Sequence, residues 1–134
     1  MIRAVIDTNV IVSGLLKPGS KPGLVLDMIF EGTIDAVVSR DMLDEYKRVI
    51  CYGKFNFSQE RIADVLVILE KTVLELPFPE TGLAGVPADD AVFVAAAIAV
   101  GADYLITGNI RHFPQKKYGR CRAVTPAEFL EKEG

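Results

Sequence analysis

Short apolar runs of strand length alternate along this chain with segments of helical periodicity, and no other feature constrains its fold as tightly. Ile2 to Ile6 reads as a first strand. The break Pro18-Gly19-Ser20-Lys21-Pro22-Gly23 precedes a short apolar helix, Leu24 to Phe30, which Gly32 ends. Ile34 to Val38 reads as a second strand, and Ser39 is a suitable N-cap for a helix Arg40 to Ile50. A helix from about Ser58 to Thr72 carries Ile62, Val65, Leu66 and Leu69 at helical spacing, and Val73 to Leu76 follows as a brief strand. Pro77 to Pro87, rich in proline and glycine, reads as a loop. Asp89 to Val100 is expected as a helix closed by Gly101, then a strand Asp103 to Thr107 and a last short strand Arg122 to Val124. Thr125-Pro126-Ala127-Glu128 has the form of a capping box that opens a terminal helix. Such alternation predicts an α/β fold, a parallel sheet with helices on both faces joined by right-handed crossovers.

Within that frame the first strand ends abruptly at an acid, Asp7. Open α/β sheets bind ligands at the carboxyl ends of their strands, so a carboxylate there is a candidate site residue. The plainer account is an Asp that caps the turn after a strand. On the helix Arg40 to Ile50, Met42, Leu43, Tyr46, Val49 and Ile50 define the buried stripe. At about 100° per residue, Asp41 and Asp44 point away from that stripe and Glu45 borders it. The plainer account of Glu45 is a boundary residue that reaches to water.

Asp89-Asp90 stands before ten apolar residues, Ala91 to Val100, a helix expected to be buried nearly all round. One aspartate suits the N-cap, where a carboxylate meets the positive end of the helix dipole, and the second is left without a purely structural task. The strand Tyr104-Leu105-Ile106 then delivers Thr107-Gly108-Asn109 to the same sheet edge as Asp7. Clustered carboxylates repel unless a proton or hard cation is shared, and an all-oxygen donor set suits Mg²⁺ or Mn²⁺ rather than zinc.

The charge balance, 15 basic against 18 acidic residues for a net charge of -3, disfavours a protein that coats polyanions by charge alone. Distribution modifies that statement. From Tyr104 to Ala127 there is no acid, while Arg111, His112, Lys116, Lys117, Arg120 and Arg122 all fall there. This stretch is either a solvated loop or one wall of a phosphate-binding surface. With 134 residues, a single domain over 1–134 can bury roughly two thirds of its unfolded surface. Cys51 and Cys121, with no paired spacing, are expected as free, partly buried thiols. The longest apolar run is too short to cross a bilayer and no signal-peptide pattern precedes the first strand, so a cytoplasmic protein without membrane attachment is expected.

The segment Val5-Ile6-Asp7-Thr8-Asn9-Val10-Ile11-Val12-Ser13, then Asp89-Asp90 before an Ala-rich helix, then Gly101-Ala102-Asp103-Tyr104-Leu105-Ile106-Thr107-Gly108-Asn109, strongly resembles the PIN-domain family. It is most similar to the prokaryotic branch of toxin–antitoxin toxin components. The resemblance implies a three-layer α/β/α sandwich around a central parallel sheet and a Mg²⁺- or Mn²⁺-dependent ribonuclease. Carried over, the family's acids match Asp7, Glu45 and Asp90 as catalytic and metal-binding residues, with Asn109 where a fourth acid often stands. That departure removes one negative charge. Asn9, Ser13 and Thr107 correspond to polar supports of the carboxylates, and with an RNA substrate the basic residues Arg111, His112, Lys116 and Lys117 noted above become the expected RNA contacts. An RNA substrate, an antitoxin partner and a homodimer or larger homo-oligomer are the expected associations.

Other chemistries find no support. No G-x-G-x-x-G, Walker A or serine-hydrolase elbow pattern occurs. A receiver-type phosphoacceptor domain would need a central-strand Asp, and Val38-Ser39-Arg40 does not offer one. The rival of another class is a PIN-like module that binds RNA or a protein with weak or no catalysis, because Asn109 replaces an acid.

Overall fold

The computed structural model describes residues 2–52, 57, 59–74, 85–86 and 90–133. Strand β1 (Ile2–Ile6) leads into helices α1 (Thr8–Leu16) and α2 (Lys21–Phe30), then β2 (Ile34–Ala36) and β3 (Val38–Ser39). Helices α3 (Arg40–Tyr52) and α4 (Gln59–Lys71) precede β4 (Val73–Leu74), and α5 (Ala91–Val100) precedes β5 (Tyr104–Ile106). A 3₁₀ turn (Ile110–His112), the hairpin β6 (Lys117–Tyr118) and β7 (Cys121–Val124), and α6 (Pro126–Glu133) complete the chain.

Five strands form one sheet in the order β2-β1-β5-β7-β6. β2, β1, β5 and β7 pair in parallel, with Ala4 beside both Ala36 and Tyr104, and Ile6 beside Ile106. Among the described residues only β6 runs antiparallel, so the sheet is mainly rather than wholly parallel. Consecutive side chains on a strand alternate between faces. Ala4, Val5 and Ile6 are all buried, as are Leu105 and Ile106, so helices cover both faces. α5 packs on β1, β5 and β6, whereas α6 packs on β7 and α2 and sets Phe129 edge-on to Tyr104 at 5.2 Å. This is the expected α/β sandwich, and its parallel strands bring Asp7 and Thr107 to one edge.

Several elements depart from expectation. The strand expected over Ile34 to Val38 splits, because the Val37 amide still donates to Ala4 while Val38 and Ser39 pair with Val73 and Leu74 in a second, two-stranded sheet. The expected continuation to Leu76 and, apart from Gly85 and Val86, the loop Pro77 to Pro87 lie outside the described residues. Helix α2 begins at Lys21, three residues earlier than expected, because Ser20 caps the Gly23 amide at 3.2 Å and proline is tolerated in a first helical turn. Helix α1 was not expected. Its β-branched run Val10-Ile11-Val12 favours a strand locally, and its burial on almost every side erases the periodicity that marks a surface helix. Gly14 lets α1 approach α2, since a Cβ there would lie 2.6 Å from Leu26 Cδ1. Gly101 closes α5 as expected, with φ of 62°. Of the two free cysteines, Cys51 is exposed and Cys121 fully buried, rather than both half-buried. Burial pushes the Cys121 thiol up to about 12.

Candidate active site

Asp7 is buried at the end of β1, with 4% of its surface exposed. It occupies the N-cap position of α1, yet its side chain makes no capping hydrogen bond. Instead Oδ2 accepts from the Thr107 hydroxyl at 2.7 Å and from Asn9 Nδ2 at 3.2 Å. The plainer account of this acid is therefore incomplete: the carboxylate is taken from water and held first by the Thr107 hydroxyl from a distant strand, with the Thr8 and Asn9 backbone amides contributing less. Burial raises its pKa above the ordinary carboxylate value; the Thr107 hydroxyl opposes that shift and the charge of Asp90 adds to it.

A cleft of about 330 Å³ opens over this carboxylate, with Glu45 and Asp90 on its walls and Phe93 in its lining. Asp90 sits at the N-cap position of α5 but, like Asp7, makes no side-chain cap bond. Its Oδ2 lies 2.8 Å from His112 Nδ1. Asp89 lies outside the described residues. On α3, Asp41 and Asp44 are exposed and Glu45 is partly buried, as its angular position requires. Arg48 one turn on grips Glu45 through both carboxylate oxygens at 2.7 and 2.9 Å. The three acids thus share one cleft while two of them are drawn toward partners on its rim. Among the described residues no three acidic, His or Cys side chains converge closely enough to hold an ion.

The polar supports are tied together. Asn9 accepts the Gly108 amide on its Oδ1 at 2.9 Å, and Thr107 Oγ1 accepts the Asn109 amide at 3.0 Å. Ser13 lines the carboxylate cleft without a place in this chain of hydrogen bonds. The Asn109 side chain does not join Asp7, Glu45 and Asp90; it lines a neighbouring cleft of about 410 Å³. The basic stretch is divided. Arg111 and His112 lie on the 3₁₀ turn beside Asp90. Lys117 stands opposite Arg122 on the edge hairpin beyond Lys116, and Arg120 pairs with Asp103 at 2.8 Å at the other end of the sheet.

These features are matched elsewhere. A PIN domain family model matches residues 3–111, most of the chain and all three acids of the cleft. The chain belongs to the PIN-domain family. Over 44 residues this PIN domain is 48% identical to the uncharacterized protein MJ1680 of Methanocaldococcus jannaschii, a match that spans 33% of this chain and 28% of that protein. It superposes on the crystal structure of VapBC2 from Rickettsia felis bound to a promoter DNA fragment, with a TM-score of 0.59 and 17% identity over 92% of this chain and 98% of that one. FitAB bound to an IR36 DNA fragment gives 0.55 and 17% over 92% and 94%. At this identity the likeness is one of fold.

PIN domains are in general nucleases that use divalent metal ions. The residues here fit such an ion in one respect that the structure itself supplies. Asp7 is a desolvated carboxylate whose hydrogen-bond partners are neutral, beside a second acid that raises its pKa, which is the situation a hard cation relieves. One contributor to this PIN domain's site was legible only as a core residue. Tyr46, fully buried, donates its hydroxyl to the carbonyl of Ile6, the residue before Asp7, and its ring lies 6.1 Å from that of Phe93. Burial, and then the charge of Asp7, raise its pKa well above the usual phenol value, so it remains a donor. A tyrosine on an apolar stripe next to a boundary Glu is the available signal, since a buried hydroxyl needs a partner.

Proposed function

We propose that this protein is a Mg²⁺- or Mn²⁺-dependent ribonuclease that cleaves single-stranded RNA, the toxin of a toxin–antitoxin pair in the cytoplasm. The observation that carries the reading is Asp7: a buried carboxylate, fixed by Thr107 and Asn9, that shares a cleft with Asp90 and Glu45 at the carboxyl edge of the sheet. Family membership supports nuclease chemistry, and the likeness of fold to VapBC2 and FitAB supports the toxin role. An antitoxin is the corresponding protein partner, and a homodimer or larger homo-oligomer the corresponding assembly.

In this reading Asp7, Asp90 and Glu45 hold the ion. When bound, it supplies an activated water and neutralises charge developing at phosphorus. Asp7 is the rigid donor, since two hydrogen bonds fix it before any ligand arrives. Asp90 and Glu45 turn inward from His112 and Arg48. Arg111 and His112, on the turn beside Asp90, would meet the phosphate backbone, and Lys116 and Lys117, set apart at the edge hairpin, would add charge to a longer RNA path.

Two results test this reading. Millimolar Mn²⁺ is expected to raise the melting temperature of the wild type, because binding at 100 times the dissociation constant stabilises the folded state by about 2.7 kcal/mol. In Asp7→Asn the metal shift should largely vanish; coincident curves for the wild type with and without metal would sink the proposed site. Glu45→Gln should also slow metal-dependent cleavage of single-stranded RNA by about tenfold or more, whereas Asp41→Asn and Asp44→Asn, on the outer face of α3, stay near wild type. Equal losses at Asp44 and Glu45 would refute the assignment on α3. Metal-independent RNA binding without cleavage, unaffected by Asp7→Asn, would favour the binding-module alternative.

A further inference from the structure

The cleft lined by Asn109 shares two wall residues, Asn9 and Ser13, with the carboxylate cleft, so the two lie side by side. Its composition is different. Val10, Pro22, Pro126 and Ala127 give it a largely apolar lining, Lys21 is its cation, and among the described residues no acid lines it. Its volume of about 410 Å³ falls in the ordinary range for small-molecule sites. Asn109 is exposed there, and its backbone is tied to the carboxylate through Thr107, whose hydroxyl bridges the Asn109 amide and Asp7.

We propose that this second cleft is a nucleotide subsite, which holds the base adjoining the bond that is cleaved, and that Asn109 reads that base. The inference rests on the ribonuclease reading for the nature of the polymer. Apolar walls and the partly open Pro22 ring suit the face of a planar heterocycle, and bases of single-stranded RNA are bound by such stacking together with hydrogen bonds to their edges. An Asn amide offers both donors and an acceptor, the pattern that discriminates between bases. Lys21 stands where it can neutralise that nucleotide's phosphate. A carboxylate at position 109 would face a nucleotide chain with a like charge, so in this chain the amide serves substrate rather than metal.

Titration of the isotopically labelled protein, without divalent metal, with each of the four nucleoside 5′-monophosphates tests the subsite by amide NMR. Gly108, Asn109 and Ala127 are expected to shift, with one monophosphate bound most tightly. In Asn109→Leu the spread of affinities among the four should shrink by roughly tenfold, and in Lys21→Gln all four should weaken together. Both positions are exposed at the rim, so the fold is retained. Absence of shifts at these three amides, or a preference that survives Asn109→Leu, overturns the subsite. Failure of the ribonuclease reading has a different signature: base-selective binding persists, with no metal-dependent cleavage by the wild type.

Discussion

Asp7→Asn is expected to reduce metal-dependent RNA cleavage by at least about a hundredfold while it makes the metal-free protein more stable at neutral pH. Both follow from one burial. Because the folded state raises the pKa of Asp7, ionisation costs stability: the favourable contribution is complete below the ordinary value of 3.8 and is lost as pH climbs through the raised value. Asn keeps an acceptor for Thr107 and Asn9 but carries no charge, so the variant's stability should not fall across that window. A higher melting temperature than wild type is therefore expected at pH 7, with the difference shrinking toward zero below pH 4. Melting curves from pH 3 to 8 for both proteins decide the matter. A variant less stable than wild type at pH 7 would mean that the carboxylate is not strained by burial.

The second large effect is structural. Phe93 is 1% exposed, lines the carboxylate cleft and stacks at a tilt on Tyr46, so it joins α5 to α3 directly beneath the acids. Phe93→Ala is expected to cost about 3–5 kcal/mol through lost burial and the cavity left behind, and Phe93→Leu less than half of that. Urea denaturation with an unchanged slope gives the measurement. A loss below about 1 kcal/mol for the alanine variant would show that the site floor is not a packed part of the core.

Much of the architecture was legible because local signals agreed with tertiary demands. Ser39 caps the Met42 amide at 3.2 Å, and Thr125 and Glu128 exchange reciprocal bonds at 3.1 Å, as their residue types require. The acids were legible because a carboxylate at the end of an apolar strand has few structural uses. What escaped notice was decided by contacts far along the chain. Helix α1 carries strand-forming residues and is helical because α2 and α3 enclose it. Nothing local to Ile34-Asp35-Ala36-Val37-Val38 tells where the chain changes sheets; that depends on Val73 arriving to pair with Val38. Asn109 fell into the neighbouring cleft because its amide bends back to Thr107, a turn geometry that motif spacing alone does not carry.

The separation between Asp7 and its hydroxyl partner, 100 residues along the chain, has a consequence during synthesis. Strand β1 lies in the interior of the sheet, yet its neighbour β5 leaves the ribosome about 100 residues later. At about 5–20 residues per second the nascent chain spends roughly 5–20 s with β1 unpaired on that side and Asp7 open to water. Throughout that interval the carboxylate is an ordinary hydrated acid, with neither the fixed orientation nor the raised proton affinity that the finished fold confers. A ribonuclease of the kind proposed would thereby stay harmless to the messenger RNA from which it is being translated until its own sheet has closed.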